Sequence, residues 1–472
     1  MNIKIVEPYC FDKRYDVRSL TPALGPIIVA SLLKSEGHQV EVISEYVSKL
    51  NLGELNSADL IGISITTYNA TRGYEIAQYI KRPVVFGGFH ASLLPEECLR
   101  YGDYVIRCDG FPIIHLVEFL SNKGVGIEQI PNLVYRRNGR VFYNQMLTKE
   151  INIVPDFRLV KDYHKLNLKR LLRIPLLVNA SRGCPYNCTF CSIKAIYPDF
   201  TKKDIEIVVQ DIKNQIGNQQ VFSRLLPRII WITDDNISSD KKWAKELLRE
   251  IARIKTSYRF VIQARADIAR DDELLDLMRK ANIGIVYLGI ESLDQQSLDN
   301  FNKELSLEEI MYAIEKIESY GMSVHGLFVF GDDDFKKGDG LKVAEFAKKR
   351  GLSGVLVQPL VPFPGTKIFN KLKGEGRILH EEWQHYDGKV VFQPRNMTPA
   401  ELQSEVYDCY RKVYSPLRVL KFLLFGPKGF RLAGLGEGKF RHSEWRKVKR
   451  YIRDKLTIWN GVPYTSRSPY KG

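Results

Sequence analysis

Three cysteines on one short loop constrain this chain more than any other stretch. Cys184, Cys188 and Cys191 lie within SRGCPYNCTFCS (residues 181–192), spaced four and then three apart. The apolar run from Pro175 to Ala180 before them reads as a strand, and Pro185 opposes a plain helix after the first thiol. The thiols therefore sit on a loop able to fold around one object. Structural zinc fills four protein positions, and no nearby His or Cys completes that set. A cubane iron–sulfur cluster held by three thiolates leaves one iron open, which suits catalysis better than scaffolding. A zinc site, or three unrelated core thiols, is the alternative reading.

The chain leaves ample room around that loop. Its 472 residues suffice for two or three domains. The opening MNIKIV reads as a strand and shows no secretory-signal pattern. No eighteen-residue apolar stretch suggests a membrane span. Seven cysteines, an odd number, do not suggest a disulfide framework and fit a reducing cytoplasm. Charge is concentrated at one end: residues 411–472 hold 16 Lys/Arg against 3 Asp/Glu, a balance of +13 within a whole-chain net of +15.

Strand-like and helical patterns alternate over residues 1–140, with strands expected at Ile3–Val6, Val40–Ser44, Asp59–Thr66, Val84–Gly87 and Tyr104–Ile106, and a helix from Gly25 to Lys34. Such alternation implies a parallel sheet covered by helices, with ligands bound beyond the carboxyl ends of the strands. The rim would then hold Pro8 to Leu24, Ser64 to Asn69, Gly87 to Ser92 and Cys108 to Gly110. A hairpin is expected to turn at Asn138-Gly139, and residues 141–175 read as a connector between domains. Six further strands with helical connections are expected at 176–180, 228–233, 260–264, 284–289, 324–330 and 354–360. Polar residues end these strands: Asp234, Asp235 and Asn236; Arg265 and Asp267; Glu291; Gln358. Asp234 and Asp235 can also be read as helix caps, although Asp240 would serve equally. Capping boxes mark helices after Ser306 and Thr398.

The CxxxCxxC loop, with aromatic Phe190 before its last cysteine, resembles that of the radical S-adenosylmethionine (SAM) enzymes. The pieces ahead of it, including Gly62-Ile-Ser-Ile-Thr-Thr67 and Gly87-Gly88 with His90, resemble the cobalamin-binding domain that precedes many of those enzymes. The resemblance runs from the N-terminus to about residue 415 and implies an α/β chain. A Rossmann-like cobalamin-binding domain (1–140) and a linker (141–175) would lead into a (β/α)6 partial TIM barrel (176–365), then a helical, basic extension (366–472). It implies a [4Fe–4S] cluster on Cys184, Cys188 and Cys191, with SAM chelating the open iron and yielding a deoxyadenosyl radical on reduction. Phe190, Asp234, Asp235, Arg265, Glu291 and Gln358 would contact SAM. An acidic group suits its ammonium, and a planar guanidinium its carboxylate. Glu291 could instead orient Arg265. Cobalamin would lie against Ser64, Thr66, Thr67, Gly87, Gly88, Phe89, His90 and Gly110, with His90 a polar rim contact rather than a cobalt ligand.

Three departures qualify the match. No Asp-x-His-x-x-Gly motif is present, the turn after the fifth strand is Cys108-Asp-Gly-Phe111, and the fifth barrel strand ends in Gly331-Asp-Asp-Asp334. A docking domain without cofactor is the alternative for residues 1–140. The resemblance implies C-methylation of a small-molecule or lipid-like substrate, or cyclisation or oxidation, with electrons from a low-potential flavodoxin- or ferredoxin-type donor. A methylthiotransferase acting on tRNA or protein is a further alternative, but Cys98 and Cys108 lack the spacing of its second cluster. The basic tail beside the apolar Leu417–Phe425 run suggests contact with an anionic membrane or a merely solvated face. No RNA-binding pattern supports nucleic acid.

Overall fold

Val and Ile, crowded against the pleat on both faces, build the first sheet of the computed structural model, which describes residues 1–10, 22–165, 176–217 and 229–414. Its parallel strands are β1 (Asn2–Glu7), β2 (Gln39–Ser44), β3 (Leu60–Ser64), β4 (Val84–Gly87) and β5 (Tyr104–Ile106). A hairpin of β6 (Leu133–Arg137) and β7 (Arg140–Tyr143) adds two antiparallel strands, giving the order β2-β1-β3-β4-β5-β6-β7. Asn138 and Gly139 both take positive φ, as a two-residue hairpin turn requires. The order reverses between β1 and β3, so the crevice at their carboxyl ends is the expected ligand position. The expected rim segment Pro8 to Leu24 falls largely outside the described residues.

The connector returns across this sheet. Val160 bridges Val42, the Asp156 amide donates to Ser31 Oγ at 2.8 Å, and Phe157 and Val160 enter the apolar core under the helix Leu24–Ser35.

The second sheet is wholly parallel and its strands are neighbours in chain order: β8 (Leu176–Val178), β9 (Ile229–Ile232), β10 (Arg259–Ala264), β11 (Ile283–Glu291), β12 (Ser323–Phe330) and β13 (Gly354–Pro359). β13 and β8 form its two ends and do not pair with each other, so the sheet stays open. Alternation along each strand separates two environments. Residues such as Ile230, Ile262, Leu288, Val324 and Val357 pack outward against helices. Val261, Ile285, Tyr287, Trp231 and Leu327 form a separate apolar cluster on the opposite, inner face. There the Trp231, Tyr287 and His325 rings stack in sequence, at 5.2 Å and 4.4 Å.

The free edge of β13 is covered by hydroxyls. Tyr410, on the helix Pro399–Val413, and Tyr414, at its C-cap, each accept from a strand amide and donate to its carbonyl, at Val357 and Val355 respectively, all at 2.9 Å. Four helical residues rise about 6 Å and two strand residues about 6.6 Å, so the two spacings match. This satisfies edge groups that would otherwise invite another strand. Trp383 and Tyr386, between barrel and helix, enter the core of the first sheet instead. The strongly basic tail lies outside the described residues, and among those that are described no helix is long and apolar enough to cross a membrane.

Candidate active site

The cysteine loop leaves β8 and is fastened at every turn by groups distant in sequence. Asp234, just past β9, accepts from the Ala180 amide at 2.8 Å and from the Ser181 hydroxyl at 2.6 Å. Asp235 accepts from the Gly183 amide at 3.2 Å. Gly183 itself takes φ +80°, and a Cβ there would lie 2.5 Å from the Asp199 carbonyl, so only glycine fits the turn into Cys184. Beyond Cys188, the Thr189 amide donates to the Phe301 carbonyl at 3.0 Å and its hydroxyl to the Asn300 carbonyl at 3.1 Å. Asn302 donates to the Asn187 carbonyl at 3.2 Å. Phe190 meets Phe301 edge-on at 4.9 Å.

Burial raises all three thiols, Cys191 to about 12, and they also influence one another. Loading with iron must therefore displace protons from the loop. Among the described residues no three His, Cys, Asp or Glu side chains converge tightly enough for a single ion. Two buried polar atoms in the segments flanking the loop lack hydrogen-bond partners, Asn179 Oδ1 and Asn236 Nδ2, while Arg265 Nε and Asp267 Oδ1 face each other as an ion pair at 3.8 Å. Such orphans fit a polar ligand at the open side of a cluster.

The strand-end residues divide. Arg265 and Glu291 are buried at the ends of β10 and β11, close to the thiols. Arg265 donates through Nη2 to the Lys303 carbonyl at 2.5 Å, and its Nη1 lies 3.8 Å from Cys188 Sγ. Glu291 takes a left-handed φ of 63° at a register shift, and its carboxylate accepts from Lys303 Nζ at 2.6 Å. The alternative in which Glu291 orients Arg265 is thus corrected: its partner is Lys303, at a position expected only to open the next helix. Gln358 is exposed at the carboxyl end of β13. Asp234 is almost wholly buried, and both its oxygens face the loop backbone and Ser181. Its expected contact with the SAM amino group gives way to a role in anchoring the loop. Burial pushes its carboxyl up to about 6, against the hydrogen bonds from Ser181 and Ala180. The cap reading of this pair does not hold either, because Asp240 caps the helix Lys241–Arg253 by accepting from the Trp243 amide.

The rim of the first sheet differs in kind. Gly88 has φ +93°, and a Cβ would stand 2.6 Å from the Ile65 carbonyl; no other residue fits there. Ser64, Gly87, Gly88 and Phe89 are half-buried, as is Gly110, which packs closely on Val29. Thr66 turns inward to bond Asn69 at 3.1 Å. His90 corrects the expectation of a rim contact. Its side chain is fully buried, 3.0 Å from the Tyr74 hydroxyl, 3.3 Å from Thr67 Oγ1 and 3.5 Å from Glu97 Oε1, with Trp383 edge-on at 5.3 Å. Thr67 is buried with it. Short side chains and a glycine pair at the switch-point crevice suit a large flat ligand approached through backbone groups rather than an axial histidine.

Rim and loop meet. Arg182, two residues before Cys184, donates to Asp109 in the turn after β5 at 3.1 Å and lies 3.8 Å from Glu150. Phe89 meets Tyr197, beyond the loop, at 6.1 Å. The other four cysteines have separate surroundings: Cys10 beside Tyr46, Cys98 against the Tyr74 hydroxyl, Cys108 against Asp109, and Cys409 buried in the core of the second sheet.

Residues 178–347 match the Radical SAM superfamily. The chain is 27% identical over 428 residues to bacteriochlorophyllide d C-8(2)-methyltransferase of Chlorobaculum tepidum, covering 86% of this chain and 88% of that one. It is 24% identical to the hopanoid C-2 methylase of Rhodopseudomonas palustris, covering 86% and 73%. Its fold is similar to that of TsrM from Kitasatospora setae, a radical SAM methyltransferase solved with cobalamin and a [4Fe–4S] cluster. The TM-score is 0.68 at 16% identity, covering 88% of this chain and 90% of that one.

Proposed function

We propose that this chain, whose residues 178–347 match the Radical SAM superfamily, is a cobalamin-dependent radical SAM methyltransferase acting on carbon in a small, largely apolar molecule. The observation that carries the proposal is the junction of rim and loop. The Arg182–Asp109 pair and the Phe89–Tyr197 contact hold the switch-point crevice of the first sheet against the three thiols. Two cofactors could therefore face one shared space. The relatives named above that are described as methylating act on a bacteriochlorophyllide and a hopanoid, which supports an apolar substrate here.

Cys184, Cys188 and Cys191 would hold the cluster, and Arg265, Glu291, Gln358 and Asp235 would border SAM. The half-buried rim at Ser64, Gly87, Gly88, Phe89 and Gly110 would receive cobalamin. When bound, cluster and SAM supply a radical able to act on an unactivated carbon, and cobalamin supplies the methyl carrier. The chain's own residues then orient and shield. The apolar inner face of the second sheet, with the Trp231–Tyr287–His325 stack, excludes water and favours a flat apolar substrate, while Gln263 and Gln358 offer hydrogen bonds along the same wall. A flavodoxin- or ferredoxin-type donor would deliver the electron. Through its basic tail the protein would rest on an anionic membrane, so full-length chain should co-sediment with anionic liposomes and a chain ending at residue 415 should not.

Anaerobic reconstitution followed by iron, cobalamin and SAM-product analysis tests the function. The expected result is a single cluster, bound cobalamin and formation of both 5′-deoxyadenosine and S-adenosylhomocysteine. Two clusters without cobalamin would overturn it in favour of methylthiolation.

A further inference from the structure

The cysteine loop is electrically uneven. Arg265 Nη1 lies 3.8 Å from Cys188 Sγ, and three further contacts fix the guanidinium there. Its Nη2 donates to the Lys303 carbonyl at 2.5 Å, its Nε stands 3.8 Å from Asp267 Oδ1, and its central carbon sits 3.5 Å from the centre of the Tyr186 ring. Tyr186 belongs to the loop itself, between Cys184 and Cys188, and its hydroxyl donates to Asp267 Oδ2 at 2.6 Å. One aromatic ring inside the thiol motif therefore carries the cation that faces the second thiol. Lys303 acts on the same sulfur in the same sense, but its buried partner Glu291 opposes it, so Arg265 is the cation that faces Cys188 directly. Cys191 instead feels the Asp235 carboxylate and the other two thiols.

We propose that Arg265 is a positioning residue that tunes the iron–sulfur cluster through the Cys188 sulfur, and that Tyr186 is the platform holding it in place. This rests on the reading of the three cysteines as cluster ligands. One-electron reduction of a cluster adds negative charge that spreads onto its sulfurs. A guanidinium donating to one of those sulfurs stabilises the reduced form more than the oxidised one and raises the potential. The effect falls on the ease of loading the electron, before any substrate is involved. An arginine serving only the SAM carboxylate would leave the SAM-free cluster untouched, and this separates the two roles.

The test is a mediator titration of the reconstituted full chain without SAM, read by electron paramagnetic resonance. Arg265→Met is expected to move the midpoint to more negative potential, lowering the reduced-to-oxidised ratio at a fixed poise about tenfold, or about 59 mV for a one-electron couple. Tyr186→Leu, which removes the platform but leaves the arginine, moves it the same way by less. Tyr186→Phe keeps the ring and the wild-type midpoint. If Arg265→Met retains no iron, Tyr186→Leu decides: a negative shift supports the proposal and an unchanged midpoint overturns it. Unchanged midpoints in both, with SAM binding weakened only in Arg265→Met, would make Arg265 a SAM ligand and nothing more. Absence of any cluster signal in the wild-type chain would instead overturn the reading on which the proposal rests.

Discussion

The cysteine loop and the rim of the first sheet are both built where parallel strands run out into turns, yet they prepare for a ligand in opposite ways. Around the loop, charged side chains come in from four separate segments, and they pair with one another, as Lys303 does with Glu291 and Arg265 with Asp267. Arg265, Lys303, Glu291, Asp235 and Asp267 all lie near the thiols. At the rim the polar side chains have turned inward. Thr66 is tied to Asn69, and Thr67 and His90 are folded into a buried network with Tyr74, Glu97 and Trp383. Burial would raise the Glu97 carboxyl, but bonds from His90, Tyr74 and Trp383 outweigh it and hold it below its usual range. What remains for a ligand at the rim is backbone, glycine and small side chains. A compact charged ligand needs the first kind of site. A broad ligand gripped over its whole face needs only the second.

The largest effect should come from the thiols. Replacing Cys188 by Ala is expected to abolish iron retention and all SAM cleavage while the chain stays folded, since the side chain is only half-buried. Under the contrast just drawn, cobalamin retention should persist in that variant, and its loss would join the two sites into one. Arg182 offers the next largest effect because it spans them. Arg182→Met leaves the wholly buried Asp109 without its cation, and losing one partner of a buried pair costs about 3–5 kcal/mol. Chemical denaturation should show that loss, and Asp109→Asn combined with it should recover part. Simple addition of the two single losses would mean the pair does not couple rim to loop.

Much of this was legible in the sequence, for identifiable reasons. The strands announced themselves because Val and Ile runs are bounded by Gly, Pro and Asp, and observed and expected limits differ by only a residue or two for most. The thiol spacing and the polar strand ends were equally plain. The Lys303–Glu291 pair was not. It depends on a left-handed Glu291 at a sheet irregularity, and on Asn302 and Glu304, which also take positive φ and turn the chain back under the loop. Nothing in periodicity marks such a turn, although the Asn-Lys-Glu triplet at 302–304 is a faint signal because Asn favours that conformation. His90 misled for another reason. A histidine after Gly-Gly at a strand end reads as a rim residue, and only the packed positions of Trp383 and Tyr74 show that it points inward. Asp234 and Asp240 could not be ranked as caps from sequence, because both precede the same helix.

Asp234 gives the third effect. Its folded-state pKa of about 6 lies above the ordinary 3.8, so the protonated form is favoured in the folded chain. The associated stability is fully present below about pH 4 and is lost as pH rises through about 6, a change of at most about 3 kcal/mol. Asp234→Asn cannot titrate. The variant should therefore gain on the parent as pH rises from about 4 to about 7, measured by chemical denaturation of the metal-free chain. A gain in the opposite direction would mean that the carboxylate, not the acid, holds the loop.

The smallest effect should arise at Gly88. An alanine there must adopt a φ near +93° and place its Cβ 2.6 Å from the Ile65 carbonyl, and the chain can relieve the clash only by lifting the turn. Strain of this kind costs about 1–3 kcal/mol. The lifted turn carries Phe89, whose ring touches Tyr197 beyond the thiol loop, so the displacement could reach the cluster. The contrast between the two regions says otherwise. Apart from the Arg182–Asp109 pair, which this substitution leaves in place, the loop is fastened by Asp234, Asp235, Asn302 and the 300–301 carbonyls, none of which belongs to the rim. Gly88→Ala should therefore lose cobalamin while keeping wild-type iron content and the wild-type cluster spectrum. Equal loss of both cofactors would show that the Phe89–Tyr197 contact, not the loop's own fastening, sets the geometry of the thiols.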